Sequence, residues 1–426
     1  MKPKKAYNHF LVFLSVFLFL SEFALYTYEK KISPISLKHW AFIMLGGAIL
    51  LLGFEVKKIK SILNRPIFYW IGAFSVFTLF WGLKAVAIDG TYGEDAIDQV
   101  NRNLLAVIYI FSFSVILYRE SAFLLAKKIA VWVVIFSVII NIYDFISLDI
   151  SQFSSIYGRG AGLYMDPNIC GTALTMGYIL TISNIRPNWK FAYSLWGFLG
   201  ILLTQSRGGI FIFSSILVFF SFKGVFSKKS VLVFGSVFML LISAVGLKLY
   251  NDHKDDFFSK LQAFDTMFER YEQLINPKVK HVKEDTRMKI LTIYCSLWLE
   301  SPVLGKGIGA SNYYEEDVFQ RGFDHKISSH NQLLNMMVDF GIVGFILFFS
   351  FLYALLIYDS TFLYTIESMT FLYAFLLFAM VSHTLLADFY AFFVYSFVAR
   401  LVQYEYYKRN TNYFVKFPEL MRHEKN

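Results

Sequence analysis

Long apolar stretches alternate with short polar ones along most of the chain. Twelve apolar segments can be separated, and they lie near residues 9–28, 39–56, 67–88, 104–118, 129–148, 167–185, 191–206, 208–222, 230–249, 338–358, 361–383 and 388–404. A membrane core about 30 Å thick needs about 20 helical residues, so such segments are typical of transmembrane helices. Alternating strand patterns are absent, and backbone groups in lipid must be hydrogen-bonded within the segment. The pattern therefore predicts an all-α fold, a polytopic transmembrane helical bundle of about 12 spans.

The chain divides into membrane segments and one long connection. The segment 9–28 is interpreted as a retained helix, because no small-residue cleavage site of a signal peptide follows it. The connection 250–337 is far longer than the others, and loops of this length are commonly functional. The predicted organisation is transmembrane helices 1–9 in 1–249, a large loop in 250–337, transmembrane helices 10–12 in 338–404 and a tail in 405–426.

Two helices are predicted within the long loop. The first, in NDHKDDFFSKLQAFDTMFERYEQL (residues 251–274), has apolar residues at helical spacing and is amphipathic. The second, in EDTRMKILTIYCSLWLESP, has Asp285 or Thr286 as its N-cap and ends before Pro302. The stretch GKGIGASN that follows is predicted to be a turn.

Composition and charge orient this bundle. The chain is 56% apolar and 19% aromatic, with a mean hydropathy of +0.51 and a net charge of +9. With twelve spans, both basic termini and the basic alternate connections fall on one side, which the positive-inside rule makes cytoplasmic. The first outer connection, EKKISPISLK, is basic and departs from the rule. No basic stripe with interleaved aromatic residues is present, so we expect no nucleic-acid partner.

Arg207 is the first residue with candidate chemistry. It lies in TQSRGG, a predicted tight link between two apolar segments, where Gly208 and Gly209 allow the backbone to turn or to approach another group closely. The planar guanidinium suits phosphate oxygens, which favours a phosphate clamp. The alternative is an arginine that only reaches lipid phosphates at the membrane boundary.

Arg287 and His330 belong to the long loop. Arg287 opens the second loop helix, where a cation opposes the helix dipole, so a shared anionic ligand explains its position better than helix stability does. His330 stands at the mouth of the tenth span, with Ser328 or Ser329 as the predicted N-cap. The positive end of the helix dipole disfavours the imidazolium, so we expect a neutral ring able to act as a general base. A solvated arginine and a capping histidine are the structural alternatives.

The fourth feature is GRGAGLYMDPNICG, residues 158–171. Its glycines flank Arg159, and Pro167 fits the first turn of the sixth helix. A glycine-rich segment that leads into a helix N-terminus is a candidate phosphate cradle, although the spacing of a nucleotide-binding loop is absent. The two cysteines have no metal-type spacing, and DGTYGEDAIDQ lacks the ligand spacing of a calcium loop. We expect neither a metal nor a cofactor.

In this order, the residues resemble the O-antigen ligase and O-antigen polymerase superfamily of bacterial envelope glycosyltransferases. Four stretches carry the resemblance: RGAGLYMDPNICG, LLTQSRGGIFIF, RMKILTIYCSLWLESPVLGKGIG and SHNQLLNMMVDFGIVGFILF, which together span residues 159–350. The N-terminal third of the chain is similar only in having hydrophobic helices.

The resemblance implies an inverting, metal-independent enzyme of the bacterial inner membrane that transfers a glycan from a polyprenyl (undecaprenyl) diphosphate donor. By resemblance, Arg207 and Arg287, with Arg159 as a further participant, bind the diphosphate, and His330 activates the acceptor hydroxyl. Asn331 and Asn168 are expected as supporting residues, Asn331 by orienting His330 or a sugar hydroxyl. The active site would face the periplasm, on the side of the long loop, at the edge of the membrane lipid.

Three functions stay open at this point. A ligase joins the finished glycan to lipid A–core, whereas a polymerase joins repeat units to one another; the TQSR string and the single long loop favour the ligase. A flippase or secondary transporter belongs to a different class, and it typically carries ionisable residues near the membrane midplane. Here Glu367 and His383 are the few candidates within late spans, the informative cations lie at the outer edge, and the sequence has no obvious internal repeat.

Overall fold

The structure, a computed structural model, describes residues 3–54, 59–85, 93–147, 153, 159–233, 235–236, 286–311, 329–358, 361–362, 365–382, 385–386 and 388–409. In this part of the chain the fold is helical, apart from a small hairpin of β1 (Ile357–Tyr358) and β2 (Thr361–Phe362). The predicted amphipathic helix at 251–274 lies outside the described residues.

Fourteen α-helices are present among the described residues. In chain order they are α1 (Pro3–Ser15), α2 (Phe23–Glu29), α3 (Leu37–Gly53), α4 (Ile59–Leu63), α5 (Pro66–Lys84), α6 (Gly93–Ile116), α7 (Glu120–Ile146), α8 (Pro167–Thr181), α9 (Lys190–Thr204), α10 (Arg207–Phe222), α11 (Thr286–Glu300), α12 (Gln332–Leu356), α13 (Ile366–Val381) and α14 (Phe389–Arg409). The all-α fold class is thereby confirmed.

Within the described residues, four helices are long and apolar enough to cross a membrane: Pro66–Leu83, Glu94–Ile116, Glu120–Ile146 and Gln332–Leu356. A bent pair, Lys4–Leu20 with Phe23–Glu29, makes a fifth if it forms one span. The chain is therefore an integral membrane protein. Helices α3, α10 and α13 are apolar but shorter, and the count of about 12 spans stays a prediction.

The first predicted span is not a single straight helix. After a π-helical turn at Val16–Leu20, the chain breaks at Glu22, and the two parts meet at 61°. Glu22 has a left-handed φ of 55°, is buried, and accepts a hydrogen bond of 3.4 Å from the backbone amide of Tyr390. The hydropathy pattern misses this break because the partner of Glu22 lies 368 residues further along the chain.

Helix α6 lies at the centre of one half of the bundle, against α3, α5 and α14, while α7, α8 and α9 pack together in the other half. Aromatic rings fill the space around α1 and α6: the ring centroid of Phe19 lies 4.9 Å from that of Tyr109 and 5.1 Å from that of Phe113. Lipid is as apolar as these side chains, so close packing rather than burial from water specifies such contacts.

Basic side chains lie at one end of the bundle, called the basic end. There the Lys4 ammonium donates to the carbonyl oxygen of Phe54 at 2.9 Å, and the Arg65 guanidinium lies 4.8 Å from the ring centroid of Tyr118. Arg400 Nε donates to the carbonyl oxygen of Leu117 at 3.1 Å. Helices α1, α5 and α7 begin at this end. Helices α8, α10 and α12 begin at the opposite end.

Helix α12 is interrupted at Gly341, where φ 62° and ψ −144° leave the helical region. The segment that follows α11 inserts at this break, and the amide of Ile342 donates to the carbonyl oxygen of Pro302 at 2.9 Å. A Cβ on Gly341 would lie 2.4 Å from the carbonyl oxygen of Val303, so only glycine fits here. The predicted end of α11 before Pro302 is confirmed.

The same segment is bonded to the first half of α12. The amide of Lys306 donates to the carbonyl oxygen of Val338 at 2.8 Å, and the amide of Gly307 donates to that of Asp339 at 2.9 Å. The Asp339 carboxylate accepts from the amide and the hydroxyl of Ser311, at 2.7 and 3.1 Å. These bonds fix the turn after α11 against α12.

Two helices begin earlier than the apolar pattern indicates. Helix α6 begins at Gly93 rather than near 104, and α12 begins at Gln332 rather than near 338. Their first turns are rich in polar residues, which hydropathy assigns to connections. In the structure several of these polar residues line a cavity between helices.

Candidate functional site

The link around Arg207 has the predicted tightness. Helix α9 ends at Thr204, Gln205 takes a left-handed φ of 51°, and α10 begins at Arg207. The Ser206 hydroxyl caps α10 by accepting from the amide of Gly209 at 3.3 Å. The chain therefore turns at Gln205 rather than at the glycines. The Arg207 side chain is exposed.

Arg159 joins this turn to the start of α8. Its Nε donates to the carbonyl oxygen of Thr204 at 2.9 Å, and its Nη2 donates to Oδ1 of Asn168 at 3.1 Å. Asn168 is exposed, while Arg159 is 9% exposed. Pro167 is the first residue of α8, as predicted. Arg159 and Asn168, which the sequence analysis named separately as a binding and a supporting residue, are thus in direct contact.

The glycine-rich segment does not offer free amides as a phosphate cradle, which corrects that prediction. The Asp144 carboxylate accepts from the amides of Ala161 and Gly162 at 2.7 and 2.9 Å, and the amide of Gly160 donates to the carbonyl oxygen of Leu203. At the start of α8, the carboxylate of the N-cap residue Asp166 accepts hydrogen bonds from two backbone amides of the first helical turn. The amides of Gly160, Ala161 and Gly162 are therefore already hydrogen-bonded within the protein.

The start of α12 also differs from the prediction. The N-cap is Asn331, whose Oδ1 accepts from the amide of Leu334 at 2.9 Å, and not Ser328 or Ser329. Ser329 instead accepts from the amide of Asn331 at 3.1 Å. An asparagine carbonyl reaches this amide well and is among the preferred caps. The Oδ1 of Asn331 is therefore used in capping the helix, and its predicted role in orienting His330 or a sugar hydroxyl stays a prediction.

His330 precedes the cap and is exposed. Its φ of 48° is left-handed, a conformation that costs about 1–3 kcal/mol for a residue other than glycine and that clusters at functional sites. The residue therefore lies before the helix rather than in its first turn.

The beginnings of α10 and α12 meet at the end of α13. A Cβ on Gly208 would lie 3.2 Å from Cγ2 of Val381, so the start of α10 touches the last residue of α13. The next residue, Ser382, accepts a hydrogen bond of 2.8 Å at its carbonyl oxygen from the amide of Gln332. Arg207 and His330 therefore flank the same short stretch of backbone.

Arg287 is the second residue of α11, and its side chain lies outside what the structure describes. Its helix is fixed to α12 through the segment 301–307. The prediction that Arg287 reaches the same site as Arg207 stays a prediction.

Sequence analysis missed a cavity of about 330 Å³ between α5, α6 and α12. Helix α6 contributes a polar stripe at helical spacing, and α12 contributes another. The polar side chains from α6 are Asp95, Asp98, Gln99, Arg102 and Asn103, and those from α12 are Gln332, Asn335 and Asp339. Polar residues facing the interior of a membrane bundle are candidates for function. The signal in the sequence is the spacing of these residues within otherwise apolar helices.

These elements create an environment suited to an anion beside a base. Three helices, α8, α10 and α12, present their positive N-terminal ends at this end of the bundle, and the guanidinium groups of Arg159 and Arg207 add full charges. His330 precedes the start of α12, at the same end of the bundle. Such groups can stabilise a leaving diphosphate and accept a proton without a metal.

One comparison with known proteins reaches this region. Residues 192–349 match the protein-family model described as O-antigen ligase, which covers three of the four resembling stretches in whole or in large part. No curated protein matches the chain. The predicted resemblance to this superfamily is confirmed over the matched residues.

Proposed function

Because residues 192–349 match the family model described as O-antigen ligase, we propose that this chain transfers a glycan from undecaprenyl diphosphate to lipid A–core, as an O-antigen ligase. The family implies an enzyme that moves glycans on lipid-linked substrates. The observation that carries the proposal is the meeting of α10 and α12 at Val381 and Ser382, because it brings the backbone of Arg207 close to that of His330.

In the proposed reaction, Arg207 and Arg287, assisted by Arg159, hold the diphosphate of the donor. The acceptor hydroxyl oxygen attacks the anomeric carbon from the side opposite the diphosphate, and the bond between the carbon and the diphosphate oxygen breaks. His330 takes the proton of the acceptor hydroxyl, and the guanidinium groups stabilise the negative charge of the departing diphosphate. The anomeric configuration is inverted. A base in this position adds about 10²–10⁴-fold to the rate.

The reaction as proposed needs no metal, since the arginines supply the positive charge. Transfer by the purified protein is then unchanged when EDTA replaces added Mg²⁺ or Mn²⁺. A requirement for a divalent ion would contradict this part of the mechanism.

We also propose that the protein crosses the inner membrane about 12 times with both termini in the cytoplasm. The basic end, with Lys4, Arg65 and Arg400, supports a cytoplasmic assignment for that end, and the site then faces the periplasm. In a variant with the exposed Cys295 replaced by serine, an impermeant maleimide should label Lys38→Cys from the periplasm and should not label Arg186→Cys. The reverse labelling pattern would show that the protein has the opposite orientation in the membrane.

The test of the function uses protein purified into lipid nanodiscs. Lipid-linked O-antigen and lipid A–core are supplied together and separately, and products are resolved by gel mobility. A ligase produces glycan-bearing lipid A–core only when both are present. Longer lipid-linked glycan formed from the donor alone would identify a polymerase and reject the ligase. Movement of the donor across the bilayer without transfer would identify a flippase.

A further inference from the structure

The cavity between α5, α6 and α12 is not used by the reaction as described so far. Its volume of about 330 Å³ falls at the lower end of the range of about 300–1,000 Å³ typical of small-ligand pockets. It is deep: Asp339, Ser311 and Tyr395 at its floor are buried, while Asp98 and Arg102 at its mouth are exposed.

The lining is chemically suited to a sugar. Gln99 Nε2 donates to Asn103 Oδ1 at 3.0 Å, and Asn335 Oδ1 accepts from the Ser329 hydroxyl. The other polar atoms of these three amides can serve ring hydroxyls, and the Asp98 carboxylate can accept from them. The rings of Trp70 and Phe74 also line the cavity, stacked on each other at 4.7 Å between centroids. Apolar ring faces beside a few polar groups match the two sides of a pyranose.

The charge of the lining argues against a diphosphate. Asp95, Asp98 and Asp339 contribute three carboxyl groups, and Arg102 contributes the guanidinium. A diphosphate entering here would meet more negative than positive side chains. The cationic groups Arg159 and Arg207 are not among the residues that line the cavity.

The position of the first turn of α12 relates the two regions. The backbone amide of Gln332 is hydrogen-bonded to Ser382, and the residue before Ser382 contacts the start of α10. Its side chains Gln332 and Asn335 line the cavity. His330 lies two residues before Gln332 in the chain, and thus directly before this turn.

We propose that this cavity binds an uncharged terminal sugar of the acceptor and brings its hydroxyl to His330. The proposal rests on the proposed function for the identity of the acceptor. The donor diphosphate is held by the arginines of the proposed reaction, and the two reactants meet at the imidazole.

The test measures binding and transfer separately. Lipid-free core oligosaccharide is titrated calorimetrically into the purified full chain without donor. Asp98→Asn and Asn103→Ala should each raise its Kd about tenfold, the loss expected when one hydrogen bond to a sugar is removed. Glu94→Gln and Asn101→Ala lie on the same helix but outside the cavity lining, and both should bind as the unmodified protein does.

Transfer kinetics show which of the two substrates, the donor or the acceptor, the cavity binds. The two cavity variants should raise the KM for lipid A–core about tenfold and leave the KM for the lipid-linked donor unchanged. A change in the KM for the donor alone would overturn the proposal by assigning the cavity to the donor glycan. Unchanged oligosaccharide binding in folded cavity variants would overturn it as well.

The outcomes also separate this proposal from the proposed function. If the unmodified protein binds the oligosaccharide through the cavity but transfers nothing, the subsite stands and the transferase function fails. If transfer is intact and insensitive to the cavity variants, the function stands and the subsite fails. Thermal unfolding of each variant shows whether it is folded when it is assayed.

Discussion

The amide of Gln332 donates a hydrogen bond of 2.8 Å to the carbonyl oxygen of Ser382, and through this bond the first turn of α12 is held at the end of α13. Val381, the neighbour of Ser382, touches Gly208 at the start of α10. Two helices that are distant in sequence therefore begin side by side. The proposed chemistry depends on this arrangement, because it relates Arg207 to His330.

Enlarging Gly208 should separate the two helix starts. A leucine at this position must push against Val381, whose Cγ2 would lie 3.2 Å from an added Cβ. A displacement of about 1 Å can cost about 10²-fold in rate, so we expect Gly208→Leu to reduce transfer by about that factor. The additional change Val381→Ala makes room and should restore part of the activity.

Gly46 provides the matched control for this experiment. It lies in α3 with no other atom within 4 Å of an added Cβ, so Gly46→Leu should leave transfer unchanged. Equal activity in Gly208→Leu and Gly46→Leu would mean that the contact with Val381 does not position the site.

Arg207 should not tolerate lysine. The planar guanidinium can bind two phosphate oxygens at once, whereas an ammonium is a single point charge. We expect Arg207→Lys to lower kcat/KM by about tenfold or more, measured with lipid-linked donor. Arg186, exposed near the other end of α8, is the control, and Arg186→Lys should be as active as the unmodified protein. Full activity of Arg207→Lys would favour an arginine that only contacts lipid phosphate.

The break in α12 should depend on Gly341. Its positive φ and the carbonyl oxygen 2.4 Å from an added Cβ leave no room for a side chain. We expect Gly341→Ala to destabilise the protein by about 1–3 kcal/mol or more, seen as a lower midpoint of thermal unfolding in detergent.

A second glycine-to-alanine change calibrates that result. Gly72 is in α5 with nothing near an added Cβ, and Gly72→Ala should be neutral or stabilising by up to about 1 kcal/mol. If Gly341→Ala unfolds at the same temperature as Gly72→Ala, the segment after α11 does not insert at Gly341 as described.

Asp144 should stabilise the glycine-rich segment before α8, because its carboxylate accepts hydrogen bonds from that segment. Asp144→Ala leaves the buried amides of Ala161 and Gly162 without their acceptor, at a cost of about 1–3 kcal/mol for each group. We expect lower thermal stability together with weaker transfer, because Arg159 loses its support. Both amides donate to the same atom, Oδ2, so Asp144→Asn can replace it with a neutral amide oxygen, a weaker acceptor than the carboxylate, and should be intermediate. An Asp144→Ala protein as stable as the unmodified one would contradict the assigned bonds.

Local features of the fold were predictable from the sequence. Pro167 marks the start of α8, TQSR makes a tight link, and the helix after Thr286 ends before Pro302, because proline and capping residues act through their own backbone. These signals require no knowledge of distant residues.

The non-local features were not predictable in the same way. The break at Glu22, the insertion at Gly341 and the contact of Gly208 with Val381 each need a partner far along the chain. The polar beginnings of α6 and α12 were assigned to connections, because hydropathy averages a polar stripe with the apolar faces beside it. The cap at Asn331 was not predicted because serine and asparagine are equally good N-cap residues, so residue type alone does not distinguish Ser329 from Asn331.

The central claim is that His330 is the base beside a bound lipid diphosphate, and it is tested most directly by His330→Ala in a purified assay. His39, an exposed histidine that caps α3, provides the matched change His39→Ala. We predict that His330→Ala binds the lipid-linked donor normally, unfolds at the same temperature and transfers glycan about 10²–10⁴-fold more slowly, while His39→Ala keeps its activity. Normal transfer by folded His330→Ala would contradict the account.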